Sequence, residues 1–141
     1  MSFYLDTSLL VAALTVETAT DRVHLWLETQ PAVEYHISDW TATEASSAFA
    51  LKQRSGQITA PERAQALTLF HRLQRESLIT LTVLSAHFQI AARFLDASDR
   101  GLRAGDALHL AIAGEQGLRL VTLDRRMAEA GLALGIETQL L

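Results

Sequence analysis

The sequence predicts an α/β fold, a parallel sheet covered by helices on both faces, and two observations predict it. Short apolar segments of strand length alternate with longer segments of helical period along the chain. That alternation marks a parallel sheet whose crossovers are helices. The chain has 141 residues, 49% hydrophobic and 20% charged. This suits one globular domain with a substantial core, expected over residues 1–141.

Each element has a local reason. Ser2 to Leu5 is a short buried strand, and Thr7 or Ser8 can cap a helix running to Leu14. Thr20 or Asp21 can cap the next helix, which ends near Pro31 and presents Val23, Leu25, Trp26 and Leu27. Val33 to Ile37 alternates apolar and polar residues and predicts a strand. Ser38 or Asp39 opens a long helix from about Trp40 to Arg54, stopped by Gly56. "TAPE" at Thr59 to Glu62 is a capping box with proline in the first turn. The helix it starts carries Ala66, Leu67, Leu69, Phe70 and Leu73 at helical spacing. "LITLTV", Leu78 to Val83, is short and β-branched, hence a strand. Ser85 caps a helix with Ile90, Ala91, Phe94 and Leu95, broken by Gly101. Arg103 to Gly117 is a further helix and Leu118 to Leu123 a strand. Asp124 caps the last helix, and "IETQLL" closes the chain as an edge strand.

Composition narrows the function classes. There is no cysteine, so disulfides and thiolate metal sites are excluded and an interior, cytoplasmic location is expected. No apolar run reaches the roughly 18–20 residues of a membrane helix, and the first residues lack the pattern of a secretory signal. Net charge is −4, so nonspecific attraction to nucleic acid is not the default. The positive charge is nearly all arginine, in a middle group (Arg54, Arg63, Arg72, Arg75) and a late group (Arg100, Arg103, Arg119, Arg125, Arg126). Solvated helix faces account for most of it. The guanidinium fork nonetheless suits phosphate better than lysine does.

Four acids have informative addresses. Ligands of open parallel sheets bind beyond the carboxyl ends of the strands. Asp6 follows the first strand and Asp124 the fourth. If those strands are neighbours, the two carboxylates meet at one rim. Glu44 in "TATEASSAF" and Asp106 in "RAGDALHLAIA" lie early in helices among small residues that permit close backbone approach. Singly, each has an ordinary role: Asp6 and Asp124 as helix caps, Asp106 as a partner of the helix dipole, Glu44 as a solvated residue. Together they would crowd like charge unless cations neutralise it. An all-oxygen cluster selects a hard ion, Mg²⁺ or Mn²⁺, and such sites perform phosphoryl chemistry. Ser8 and Thr122 flank the cluster as supporting hydroxyls, and Asp99 is a further acid nearby in sequence. His109 stands three residues after Asp106, on the same helix face, and is expected to be a hydrogen-bonded structural histidine. There is no phosphate-binding loop, dinucleotide fingerprint or G-x-S-x-G.

These acids and their neighbours resemble the PIN domain, and within it the VapC-type toxins of toxin–antitoxin pairs. The likeness is carried by "YLDTSLL", "TATEASSAF", "LRAGDALHLAIA" and "LVTLDRRM", in that order along nearly the whole chain. The family's acidic positions fall on Asp6, Glu44, Asp106 and Asp124, and its T-x-D/N element on Thr122 and Asp124. The resemblance implies a PIN-like, five-strand parallel sheet of order 3-2-1-4-5. It implies Mg²⁺- or Mn²⁺-dependent endoribonuclease activity on structured RNA such as tRNA or ribosomal RNA. It also implies a homodimer and a small VapB-like antitoxin, assembled as a heterotetramer or larger. Asp6 and Asp106 are then the main metal ligands, with Glu44 assisting and Asp124 completing the set. Two rivals are weighed beside this. A receiver-type phosphoacceptor needs a second early acid and a late lysine, and the only lysine is Lys52. A nucleic-acid-binding or scaffold PIN protein would carry a weak or vestigial site, yet all four acids are present.

Overall fold

The computed structural model describes all 141 residues. Its elements run β1 (Ser2–Leu5), α1 (Thr7–Leu14), α2 (Thr20–Thr29), β2 (Glu34–Ser38), α3 (Asp39–Arg54) and α4 (Ala60–Glu76). They continue with β3 (Leu78–Leu81), α5 (Ser85–Ala97), α6 (Ala104–Glu115), β4 (Arg119–Thr122), α7 (Arg125–Ala133) and β5 (Thr138–Leu140). The five strands form one sheet in the order β3-β2-β1-β4-β5, and every pair is parallel. The expected α/β class and strand order are both observed.

Period-two alternation on β1 divides the core. Phe3 and Leu5 pack with Ile37, Val121 and the apolar faces of α1, α2, α3 and α4. Tyr4 faces the other side, with Leu120 and residues of α5, α6 and α7. Large side chains such as Phe49, Phe70, Leu110 and Met127 are fully enclosed. α6 is buried along its length from Ala107 to Ala113, so it is apolar on most of its circumference.

The elements begin and end close to where the sequence places them, with specific differences at the caps. α1 starts one residue earlier in register than expected: Asp6 holds the cap position, but its carboxylate makes no capping bond. Thr20 is the first residue of α2 and not its cap; its hydroxyl turns back to the carbonyls of Ala12 (2.7 Å) and Thr15 (2.9 Å). α5 is capped at Leu84, whose N–H donates to the ring Nδ1 of His87 (2.9 Å). The Thr59–Glu62 capping box is present as expected, at 3.1 and 3.2 Å. β3 ends at Leu81, short of Val83, because its partner β2 gives way to α3 after Ser38.

β1 is the turning point of the sheet. The chain builds outward through β2 and β3 on one side, then crosses to β4 and β5 on the other. The crevice at the carboxyl ends of β1 and β4 is therefore where a ligand is expected.

Candidate active site

Asp6 leaves β1 at this crevice, and its N–H donates to the carbonyl of Val121 on β4 (3.0 Å). The residue is only 6% exposed. Oδ2 accepts from the hydroxyls of Ser8 (2.7 Å) and Thr122 (2.8 Å). Those hydroxyls in turn accept from the N–H groups of Leu123 (3.2 Å) and Asp124 (3.0 Å). The end of β4 and the start of α1 thus hold one oxygen of Asp6, and Oδ1 lies 3.7 Å from Nε2 of His109.

Glu44 arrives from the second turn of α3. Its Oε1 accepts from Thr7 (2.7 Å) and from Nε2 of His109. His109 is fully buried on α6; its Nδ1 lies 2.7 Å from the Tyr4 hydroxyl. Tyr4 also bonds Ser38 (2.8 Å), and burial pushes its phenol well above the usual range, so it stays neutral. Burial opposes ionisation of Glu44, but the bond and charge of His109 and the bond from Thr7 prevail, holding its carboxyl below the usual range. Burial likewise opposes the imidazolium of His109. The Glu44 bond and the charges of Asp6, Glu44 and Asp106 outweigh it and raise its pKa.

Asp106 stands in the first turn of α6, half-buried, with its Oδ2 4.0 Å from Arg103. Burial pushes its carboxyl up, and the nearby charges of Asp6 and Asp124 push it further; Arg103 offsets this in part. Close approach of α6 to α3 depends on Gly105. A Cβ there would lie 2.9 Å from Glu44 Oε2 and 3.3 Å from Trp40 Nε1, a buried donor without a partner.

Asp124 follows β4 and caps α7: Oδ1 accepts from the N–H groups of Arg126 (2.9 Å) and Met127 (3.4 Å). It therefore serves as a cap while its charge still reaches Asp106. Asp6 thus lies within 4.8 Å of a ligand atom of Glu44, Asp106 lies within reach of the charges of Asp6 and Asp124, and Ser8 and Thr122 bond Asp6. Asp99 is exposed on the loop between α5 and α6. The network joining Tyr4, Thr7 and His109 to Glu44 goes beyond what the spacing of acids implies. Its signal in the sequence is a histidine inside the apolar run "ALHLAIA", since a buried imidazole needs partners.

The donor set suits a divalent cation. Asp6, Glu44 and His109 each offer an atom within 4.8 Å of the others. The two nitrogens of His109 are engaged by Tyr4 and Glu44, which leaves carboxylate oxygens as the available ligands, the preference of a hard ion. The negative charges crowded around Asp106, which Arg103 offsets only in part, point the same way. Of the arginines flagged in the sequence, Arg72 and Arg119 pair with Glu76 and Glu137 away from the rim. Arg103 and Arg126 border it and are exposed.

Comparison with known proteins agrees with this geometry. The PIN domain family matches residues 3–132. Ribonuclease VapC35 of Mycobacterium tuberculosis is 30% identical over 138 residues, 94% of this chain and 92% of that protein. Among solved structures, Mycobacterium tuberculosis VapC20, described as a sarcin-ricin loop cleaving toxin, superposes with a TM-score of 0.74 at 18% identity, covering 92% of this chain and 95% of its own. VapBC2 from Rickettsia felis, solved with a DNA fragment from its promoter, superposes with a TM-score of 0.71 at 16% identity, covering 99% and 98%. The chain belongs to the PIN domain family, on its VapC-type branch.

Proposed function

We propose that this chain is a Mg²⁺- or Mn²⁺-dependent endoribonuclease that hydrolyses RNA phosphodiester bonds and serves as the toxin of a VapBC-type pair. The observation that carries this reading is the meeting of Asp6 and Glu44 within 4.8 Å around His109 at the β1–β4 crevice, with Asp106 close enough that, besides its burial, the charges of Asp6 and Asp124 push it up. Asp6 and Asp106 hold the ion, Glu44 assists through its unpaired oxygen or through a water, and Asp124 completes the negative rim. A divalent ion bound there supplies charge stabilisation for the scissile phosphate and an acidified water. Ser8 and Thr122 orient Asp6 by donating to Oδ2. Arg103 and Arg126, exposed beside the acids, contact the phosphates flanking the cut.

A VapB-like antitoxin is supported by the VapBC complexes among the similar structures. A groove of about 290 Å³ between α1, α2 and α4, lined by Leu14, Val16, Ile58, Ala66 and Leu69 among others, offers an apolar surface for such a partner. A homodimer belongs to the same reading, and the exposed Phe88 beside an apolar cleft of α5 and α6 is a surface available to it. No helix is long and apolar enough to cross a membrane, and structured RNA such as tRNA or ribosomal RNA places the proposed substrate in the cytoplasm.

The test is cleavage of a structured RNA by the purified protein with Mg²⁺, with Mn²⁺ and with chelator. Metal-dependent cleavage by the wild type, lost in Asp6→Asn, is expected. RNA that is bound but left intact in every condition would instead identify a binding protein with a vestigial site.

A further inference from the structure

Glu44 needs an account that its place on α3 does not supply. It sits on a helix shared with no other acid of the cluster, and a glutamate has three side-chain torsions to fix. Its Oε1 nevertheless takes two donors, Thr7 and His109, which leaves Oε2 turned toward Gly105 and the start of α6. An ionised carboxylate only accepts hydrogen bonds, so Nε2 of His109 must carry a hydrogen. The ring cannot swing away. It is fully enclosed, it stands edge-on to Tyr4 at 5.6 Å between centroids, and the neutral Tyr4 hydroxyl meets Nδ1 at 2.7 Å.

We propose that His109 is a positioning residue: its imidazole, anchored at Nδ1 by Tyr4, donates from Nε2 to Glu44 and fixes that carboxylate beside Asp6, with its free oxygen turned toward the start of α6, where Asp106 stands. This rests on the nuclease reading above and extends it. His109 does not ligate the ion, because the nitrogen nearest the centre is committed to Glu44. The chain Ser38–Tyr4–His109–Glu44 links the end of β2 through β1 and α6 to α3, so the carboxylate is located by elements on both sides of the sheet.

Two substitutions separate this role from packing. His109→Gln keeps an N–H near the position of Nε2, whereas His109→Asn keeps only a group near Nδ1. His109→Asn is expected to lower kcat for RNA by about tenfold or more at unchanged KM, and His109→Gln to recover most of that loss. Equal loss in both variants, or a loss confined to KM, would overturn the proposal. A measurement on the wild type alone avoids dependence on variant folding. Nitrogen-15 correlation spectra of the imidazole, without metal and with Mg²⁺, are expected to show hydrogen on Nε2 in both. A bare Nε2 with hydrogen on Nδ1 is the signature of a ligand and would overturn it as well. Wild-type cleavage is the control for the underlying reading: its absence removes the nuclease function, while the spectra still decide the position of the proton.

Discussion

In its nearly closed position, Asp6 is held by two hydroxyls, of Ser8 and Thr122, that donate to the same oxygen. Hydrogen bonds to a charged group contribute about 1.5–3 kcal/mol, so Thr122→Val is expected to lower unfolding free energy by that amount in urea titrations. Asp6→Asn has a different signature. It removes like charge facing Asp106, so metal-free thermal stability should hold or rise while cleavage disappears. The titration of the site also has a sign. Glu44, held below the usual range, contributes stability above its unfolded value of about 4.3 and loses it as pH falls through its folded value. His109, raised, contributes fully below about 6.5 and loses it as pH rises through its folded value. Asp106, raised, favours the fold while protonated and loses that contribution as pH climbs above about 3.9 and through its folded value. The metal-free protein should therefore lose melting temperature on going from weakly acid to alkaline buffer, and Mg²⁺ should flatten that slope; a slope unchanged by Mg²⁺ contradicts the assignment. Of these residues, the acids were legible from their places at strand ends and helix starts. Ser8, Thr122 and a hydrogen-bonded His109 were legible as well; which partners His109 takes was not, because its hydrogen bond with Tyr4 spans 105 residues of sequence and has no local pattern.

Close contacts between elements rest on two glycines in helices, and each predicts a separable defect. A Cβ at Gly131 would lie 2.8 Å from Leu110 and press on Thr138, so Gly131→Ala overpacks the junction of α7, α6 and β5. The expected cost is about 1–3 kcal/mol, less about 1 kcal/mol regained in helix propensity, with cleavage per folded molecule unchanged. A Cβ at Gly105 meets Glu44 instead. Gly105→Ala should lower melting temperature less than Gly131→Ala and, unlike it, reduce cleavage per folded molecule, as assays on both variants side by side would show. Small residues around Glu44 and Asp106 announced this close approach in the sequence. Element ends were harder to read. β3 stops where β2 runs out of backbone to pair with, which is a tertiary fact. The cap of α5 relies on His87, whose other nitrogen is committed to Glu115 across on α6.

For the whole molecule, the alternation of short strands and helices was enough to give a parallel sheet, but not the order of its strands. That order entered with the family likeness, since adjacency of β1 and β4 depends on which helices cover which face. The adjacency matters because it turns acids 118 positions apart, Asp6 and Asp124, into parts of one rim. An ion bound only by the folded rim stabilises the fold by mass action, about 2.7 kcal/mol at a hundredfold excess over its Kd. For a domain of this size that is a rise of about 5–11 °C in Tm, absent in Asp6→Asn. The most direct test of the shared metal centre is anomalous diffraction from crystals of the protein soaked in Mn²⁺, collected for the wild type and for Asp6→Asn. The account predicts a peak bounded by Asp6 and Asp106 in the wild type and none there in the variant. A peak held by other side chains, or one that persists at the rim without Asp6, would contradict it.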